Sequence, residues 1–433
     1  MLMNLPQKGA AALAVAVLML GTSACGGGGG TSDAKEFTFW SMHKQDEPRA
    51  KMLGELAAAF TKDTGIKVNL VFQGRENLKK LQPTLVGGNV AADLVDGSQA
   101  GLLNLLQATG NAKDLSGLLK DQIPGEDKTV GDVIPDNYQQ VIADAGKTYM
   151  IPTSVHTWQI YYNAAKLPDV AANPPKTFDE LLALFDKSKA AGRAALAADG
   201  DIQGYVGKWL SQALIREFGP GNLAKALTDQ SGAGFDDPKF LKAATYIESL
   251  AKGDYMIDGW DASKFPAIQQ KWAQGAADFL FIGTYGPSET AEVAGSGFTF
   301  RSFPFPKTEG GFTSEEVSLF GFAVPAKAKH AANAEKFIEY FMNKKWLERI
   351  PADEKVMSIR TDTSTPAEVA DAKATLDSGV PFHLQMDGVR GMDDWNVKIY
   401  LPMAKDLFAG KVTAADFVAK LKTDTVNWWK VNG

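Results

Sequence analysis

The chain has 433 residues, a formal net charge of −6, 45% hydrophobic and 22% charged residues, a single Cys and four His. That length allows two or three domains, and the balance is that of a folded globular chain rather than a disordered one. One Cys excludes an intramolecular disulfide and a thiolate metal cluster, and the acidic excess argues that no nucleic acid is bound. No stretch reaches the about 18 uninterrupted apolar residues of a membrane span.

In chain order, Lys8 supplies a positive start, residues 10–20 form an apolar run, and Gly21-Thr22-Ser23-Ala24 bring small residues up to Cys25. A run this short falls below the roughly 20 residues of a spanning helix, so 1–24 read as an export signal. Residues 25–35, with glycines at 26–30, form a flexible tether. The junction resembles that of bacterial lipoproteins, in which the Cys is lipidated and anchors the protein to the outer face of the cell membrane. Thr22 stands where that motif usually has Leu. Ordinary cleavage after Ala24, with release of the protein, is the alternative. Both readings put the body outside the cytoplasm.

From Glu36 the pattern is α/β. Phe37-Thr38-Phe39-Trp40 is a β-type run, and Asp46-Glu47-Pro48 has the cap, acid and proline of a helix start. Ala50, Leu53, Leu56 and Phe60 follow at helical spacing until Gly65. Lys67 to Phe72 alternates as a strand, 76–86 reads as a helix and 92–95 as a short strand. Strands alternating with helices predict a parallel sheet whose strand-end loops, beginning at Trp40, Gln73 and Asp96, form a crevice. A second α/β unit starts near Thr148, with Gln159-Ile160-Tyr161-Tyr162-Asn163 as a strand and Thr177 with Glu180 at capping-box spacing. Helices are expected at 205–218, 238–252, 262–274 and 330–343, and strands at 277–282, 298–305 and 319–324.

Nothing in the chain reaches a catalytic signature. No phosphate-cradling loop, Gly-x-Ser-x-Gly elbow or His-Glu-x-x-His occurs, and His43, His156, His330 and His383 are too scattered for metal-ligand spacing. No cofactor or metal is expected. A lipid-anchored glycoside hydrolase, which needs two flanking carboxylates, stays open as the enzymatic alternative because Asp and Glu are plentiful.

Tyr149-Met150-Ile151-Pro152, then Tyr162-Asn163, then Pro175-Lys176-Thr177-Phe178-Asp179-Glu180-Leu181 resemble the extracellular solute-binding proteins of ABC sugar importers. Asp93-Leu94, Trp272-Ala273-Gln274-Gly275-Ala276-Ala277, Ile282-Gly283-Thr284-Tyr285, Phe320-Gly321-Phe322-Ala323-Val324-Pro325 and the segment 410–421 continue the likeness in order. The resemblance covers nearly everything after residue 35. It implies a two-lobed, hinged periplasmic-binding fold, with 36–150 plus 307–350 as the first lobe and 151–306 plus 351–433 as the second. It also implies a non-enzymatic, monomeric receptor that binds a sugar or oligosaccharide between the lobes and delivers it to ABC permease subunits. A glycerophosphodiester or a metal as the solute is the alternative within this reading.

Sugar recognition needs flat aromatic faces and polar groups that replace water at hydroxyls. Trp40, His43, Arg75 and Gln99 are candidates from the strand-end loops of the first unit, with Arg75 able to fork to two hydroxyls. The resemblance adds His156, by position only, Tyr285, where stacking aromatics are common, and Trp395, preceded by the acceptors Asp393 and Asp394. Lys208, Trp209, Trp260 and Lys355 complete the expected ligand-binding set.

Overall fold

The computed structural model of the chain describes residues 35–433, and the export signal and Cys25 lie outside the described residues. Strands β1 (Glu36–Ser41), β2 (Lys67–Phe72) and β3 (Leu94–Ser98) pair in parallel, with β1 in the middle. Two short strands, β4 (Ala143–Asp144) and β5 (Lys147–Thr148), pair with each other, and β6 (Ile151–His156) joins the first sheet. The chain then changes sheet at Thr157. Strands β7 (Trp158–Asn163), β8 (Ala194–Ala197), β9 (Ala277–Gly283) and β10 (Phe300–Pro304) form a second sheet in the order β10-β7-β9-β8. A third, parallel ribbon joins β11 (Glu315–Glu316) to β14 (Phe382–His383). Strands β12 (Ser318–Ala323) and β13 (Met357–Ser358) return to the first sheet, whose order is β13-β6-β12-β3-β1-β2.

Each sheet has its own apolar core. In β1 the side chains alternate, so Phe37 and Phe39 are buried while Trp40 is half-buried. The helix Pro48–Thr64 covers them because Pro48 opens its first turn and Gly65, at φ 72°, ends it in the left-handed region while donating its N–H to the Thr61 carbonyl. Its buried stripe of Met52, Leu53, Leu56 and Phe60 meets Phe337, with Phe60 lying edge-on 5.3 Å from that ring. Burying a ring of this size contributes about 2–3 kcal/mol. In the second core Trp209 sits among Phe281, Phe305 and Phe408 at 4.9 to 6.2 Å between centroids. The expected capping box forms there too: Thr177 Oγ1 accepts from the Glu180 N–H and the Glu180 carboxylate takes the Thr177 N–H.

Two elements differ from the sequence expectation for local reasons. The third strand begins at Leu94 rather than residue 92, and Asp93 just before it ties elements together: its carboxylate accepts from the Thr38 and His330 N–H groups. The helix expected over 262–274 begins only at Ala267, after Pro266, and the residues before it form turns.

Among the described residues the chain passes between the two cores three times: at Thr157, at 305–317 and at 377–386. Strand β6, grouped with the second lobe in the sequence division, pairs with β12 and β13 of the first sheet. Likewise Val356, Met357, Ile359, Val369, Ala372 and Leu376 pack in the first core.

Candidate functional site

A cleft of about 550 Å³ opens where the ends of β1, β3, β6 and β12 face the second sheet. On the first-sheet side, the chain leaving β1 folds back over the end of β3. The Ser41 hydroxyl donates to Asp96 Oδ2 (2.7 Å) and the Met42 N–H donates to Oδ1 (2.5 Å). Burial raises the Asp96 carboxyl pKa, while the nearby His43 charge and these bonds oppose the rise.

Glu47 occupies the residue before the first helix, but its side chain does not cap that helix. It turns into the cleft, where it meets His43 Nδ1 at 2.8 Å and accepts from Arg75 Nη1 at 3.0 Å. Burial opposes its ionisation, yet the hydrogen bonds from His43 and Arg75 hold its carboxyl down at about 2. Arg75 is presented by the short turn Gly74–Glu76 after β2, where Gly74 adopts φ 69°, and it also donates to the Met42 carbonyl at 2.6 Å. Deeper in the wall, the buried Arg49 pairs with Glu354 and reaches Thr153 Oγ1 at 3.4 Å. Lys355 follows at φ 58°, a left-handed conformation that non-glycine residues adopt rarely.

The opposite wall is aromatic. Tyr205, near the start of the helix Gln203–Phe218, and Tyr285, after β9, lie 6.3 Å apart at 34°. Both meet the Trp158 ring, at 5.5 and 6.2 Å. Glu289, on the helix Gly286–Ala294, accepts from Gln269 Nε2 at 2.9 Å, and burial raises its pKa. His156 stands between the walls at the end of β6, with Phe320 at 5.1 Å, Tyr285 at 6.2 Å and the Thr284 hydroxyl 3.3 Å from Nδ1. Burial, helped by the Arg49 charge, brings its pKa down to about 4, so the ring is neutral near pH 7.

Of the residues expected from sequence, the structure brings His43, Arg75, His156, Tyr285 and Lys355 together around this cleft. Others lie elsewhere. Trp40 packs on the first core, and Gln99 is buried with its Nε2 donating to the Val141 carbonyl. Lys208 is buried against Glu316 at 2.6 Å, Trp209 fills the second core, and Trp260 lies edge-on to Phe408. Trp395 is buried on Tyr400 with its indole N–H on Thr425, whereas Asp394 is exposed and pairs with Lys398. Glu47, Arg49, Asp96, Tyr205, Glu289 and Glu354 were not singled out from sequence as binding residues, although Asp96 opens one of the strand-end loops that the crevice argument named.

The cleft offers guanidinium donors, carboxylate acceptors and ring faces together, which suits a neutral solute bearing many hydroxyls. Among the described residues no group of three or more His, Cys, Asp or Glu side chains converges as a metal site.

The family described as bacterial extracellular solute-binding protein matches residues 47–348. A probable sugar-binding periplasmic protein of Rhizobium meliloti (strain 1021) is 25% identical over 280 residues, covering 60% of this chain and 62% of that protein. The chain thus spans less than two thirds of the length of the curated relatives it matches first, 62% and 53%. Among solved structures, the bacterial solute receptor AcbH, reported with an exclusive preference for β-D-galactopyranose, superposes with a TM-score of 0.73 at 17% identity, over 92% of this chain and 98% of its own. RafE of Streptococcus pneumoniae in complex with raffinose gives 0.71 at 17% identity, over 91% and 99%. These likenesses show the fold, two α/β lobes of the periplasmic-binding type. With the family match extending over more than half of its length, the chain belongs to the bacterial extracellular solute-binding proteins.

Proposed function

We propose that the protein captures a sugar or oligosaccharide in this cleft and delivers it to the permease subunits of an ABC importer. It acts as a monomeric receptor outside the cytoplasm, tethered to the membrane through a lipid on Cys25. The observation that carries the reading is the division of labour between the walls. Hydrogen-bonding groups at His43, Arg75 and Lys355 come from the first sheet, and the rings of Tyr205 and Tyr285 come from the second. Neither wall suffices for a sugar, which presents hydroxyl edges and apolar faces, so full contact requires the lobes to close on it. The lobes are best read as 35–156 with 318–376, and 158–304 with 386–433, following the two cores.

A phosphodiester fits this cleft less well. Glu47, Asp96, Glu289 and Glu354 bring carboxylates to its lining, and these would repel a phosphate. The sugar names carried by the relatives and structural neighbours support the same choice.

The test is thermal unfolding of the full chain against a panel of mono- and oligosaccharides. A sugar at 100 times its Kd raises stability by about 2.7 kcal/mol, a readily measured shift. Unchanged melting across the whole panel, together with a shift from a phosphodiester, would replace the sugar reading with a phosphodiester one.

A further inference from the structure

Lys208, expected from sequence to touch ligand, is instead buried on the helix Gln203–Phe218. A buried ammonium persists only where it is paired, and its partner is Glu316, 2.6 Å away on β11. That strand lies in one of the passages between the sheets and pairs with β14, which lies in another. Gln212, one turn along the same helix, donates to the second Glu316 oxygen at 2.9 Å. A further turn on, Arg216 stands 3.7 Å from Glu315, and Glu315 in turn accepts from the Thr157 hydroxyl and Gln159 Nε2 at the remaining passage. One face of one helix therefore holds all three connections. His383 completes the cluster, its Nε2 3.9 Å from Glu316, and burial keeps it neutral.

The same lysine faces the cleft wall. Its Nζ lies 5.1 Å from the centre of the Trp158 ring, the ring on which Tyr205 and Tyr285 rest. Tyr205 also belongs to the Lys208 helix. A continuous chain of contacts thus runs from the aromatic wall through Trp158 and Lys208 to Glu316 in the connection between lobes. Buried ion pairs are often replaceable by apolar residues of similar volume at little cost in global stability, so the pair is read as fixing geometry and not as adding to the stability of the whole fold.

We propose that Lys208 is a positioning residue that ties the aromatic wall of the cleft to the inter-lobe connection through Glu316, so that contact at Tyr205 and Tyr285 and movement of the lobes are coupled. This rests on the reading of the cleft as a closing ligand site. Rotation of β11 shifts the Glu316 carboxylate, and the lysine carries the shift to Trp158.

Hydrogen exchange of the full chain without ligand tests the coupling, comparing Lys208→Met, Lys208→Arg and the double variant Lys208→Met/Glu316→Leu. The double variant keeps apolar volume and avoids a lone buried carboxylate, so it holds the fold even if Lys208→Met does not. Lys208→Met or the double variant is expected to speed exchange about tenfold or more in two places, the connection at 314–317 and the segment following β9 at 284–288. Lys208→Arg is expected to restore slow exchange in both. Faster exchange confined to 314–317, or no change in the double variant, would overturn the proposal. Raffinose titration of the wild type is run alongside. A wild type that ignores raffinose and every other sugar counts against the ligand reading, while the exchange comparison still decides the coupling.

Discussion

On the first-sheet side of the cleft, Glu47 holds His43 and Arg75 while Arg49 holds Glu354. On the second-sheet side, Tyr205 and Tyr285 rest on Trp158, which packs on Phe281 of the core. The first wall is therefore set by charge on strand-end loops, where geometry depends on which groups are ionised. The second is set by ring packing continuous with the lobe interior, where geometry depends on volume. Substitutions that remove charge should act on the first wall and spare the second, and loss of a ring should do the reverse.

The largest effect is expected where the first wall meets its sheet. Gly321 lies at the register shift between β12 and β6, and an added Cβ would stand 2.1 Å from the Ile151 carbonyl oxygen and 2.6 Å from Pro152 Cα. Both obstacles are backbone, so the strands must part. Gly321→Val should lower stability by about 3 kcal/mol in denaturant titration. A loss below about 1 kcal/mol would mean that β12 can shift at little cost and that the charged wall stands on a pliable base.

The junction between the walls should reveal itself through pH. Because His156 in the folded protein has a pKa near 4 against an ordinary value of 6.5, the unfolded chain binds more protons between those values. Stability is then complete above about pH 6.5 and falls as pH drops through 6.5 toward 4, by about 2 kcal/mol after allowance for the cleft's open side. Glu47, depressed to about 2, adds its loss only at lower pH, below about 4.5. His383, buried and also held well below its ordinary range, loses stability in the same window, so His156→Gln should make the fall between about pH 6.5 and 4 shallower without abolishing it, and leave the lower window. Melting curves from about pH 2 to 8 check this, and an unchanged slope in the variant would assign the upper window to another group.

How much of this was legible beforehand differs between the walls. The first unit's strands and helix were readable because Phe37, Phe39, Leu53 and Phe60 repeat at strand and helix periods, and the chain's ends of those strands pointed to His43 and Arg75. Glu47 was read only as part of a helix start, which the helix from Pro48 bears out, and only the folded chain shows its carboxylate turned to His43 and Arg75. Tyr205 and the burial of Trp209 and Trp395 were not readable. Neighbours on a helix differ in fate by their angle to a core that distant strands build, so an aromatic's sequence position says little about which way it faces.

The second wall is tested by removing a ring. Tyr285→Ala should weaken sugar binding about tenfold in calorimetric titration, the loss of one stacked aromatic face. The bonds from His43 and Arg75 to Glu47 do not involve that ring, so the shared Glu47 geometry should persist and the pH dependence below 4.5 should be unchanged. Weakening of less than about twofold would mean that the sugar sits on the charged wall alone, and the contrast between the walls would lose its functional content.

Arg75→Ala should give the smallest change in stability and the cleanest contrast. The side chain is 54% exposed, so its bond to Glu47 contributes at most about 0.5 kcal/mol to folding. Its removal frees the Met42 carbonyl and leaves Glu47 with His43 as its hydrogen-bond partner, so the Glu47 pKa should rise from about 2 toward the ordinary carboxylate range. The loss of stability below about pH 4.5 should then be shallower than in the wild type, because fewer protons separate the folded from the unfolded chain there, while melting at pH 7 stays within about 1 °C of the wild type. Sugar affinity should fall several-fold, through loss of a donor in the wall that faces intact Tyr205 and Tyr285. If affinity instead stays the same while the acid limb moves, Arg75 serves only to set the charge of Glu47, and the hydrogen-bonding wall reduces to His43, Glu47 and Lys355.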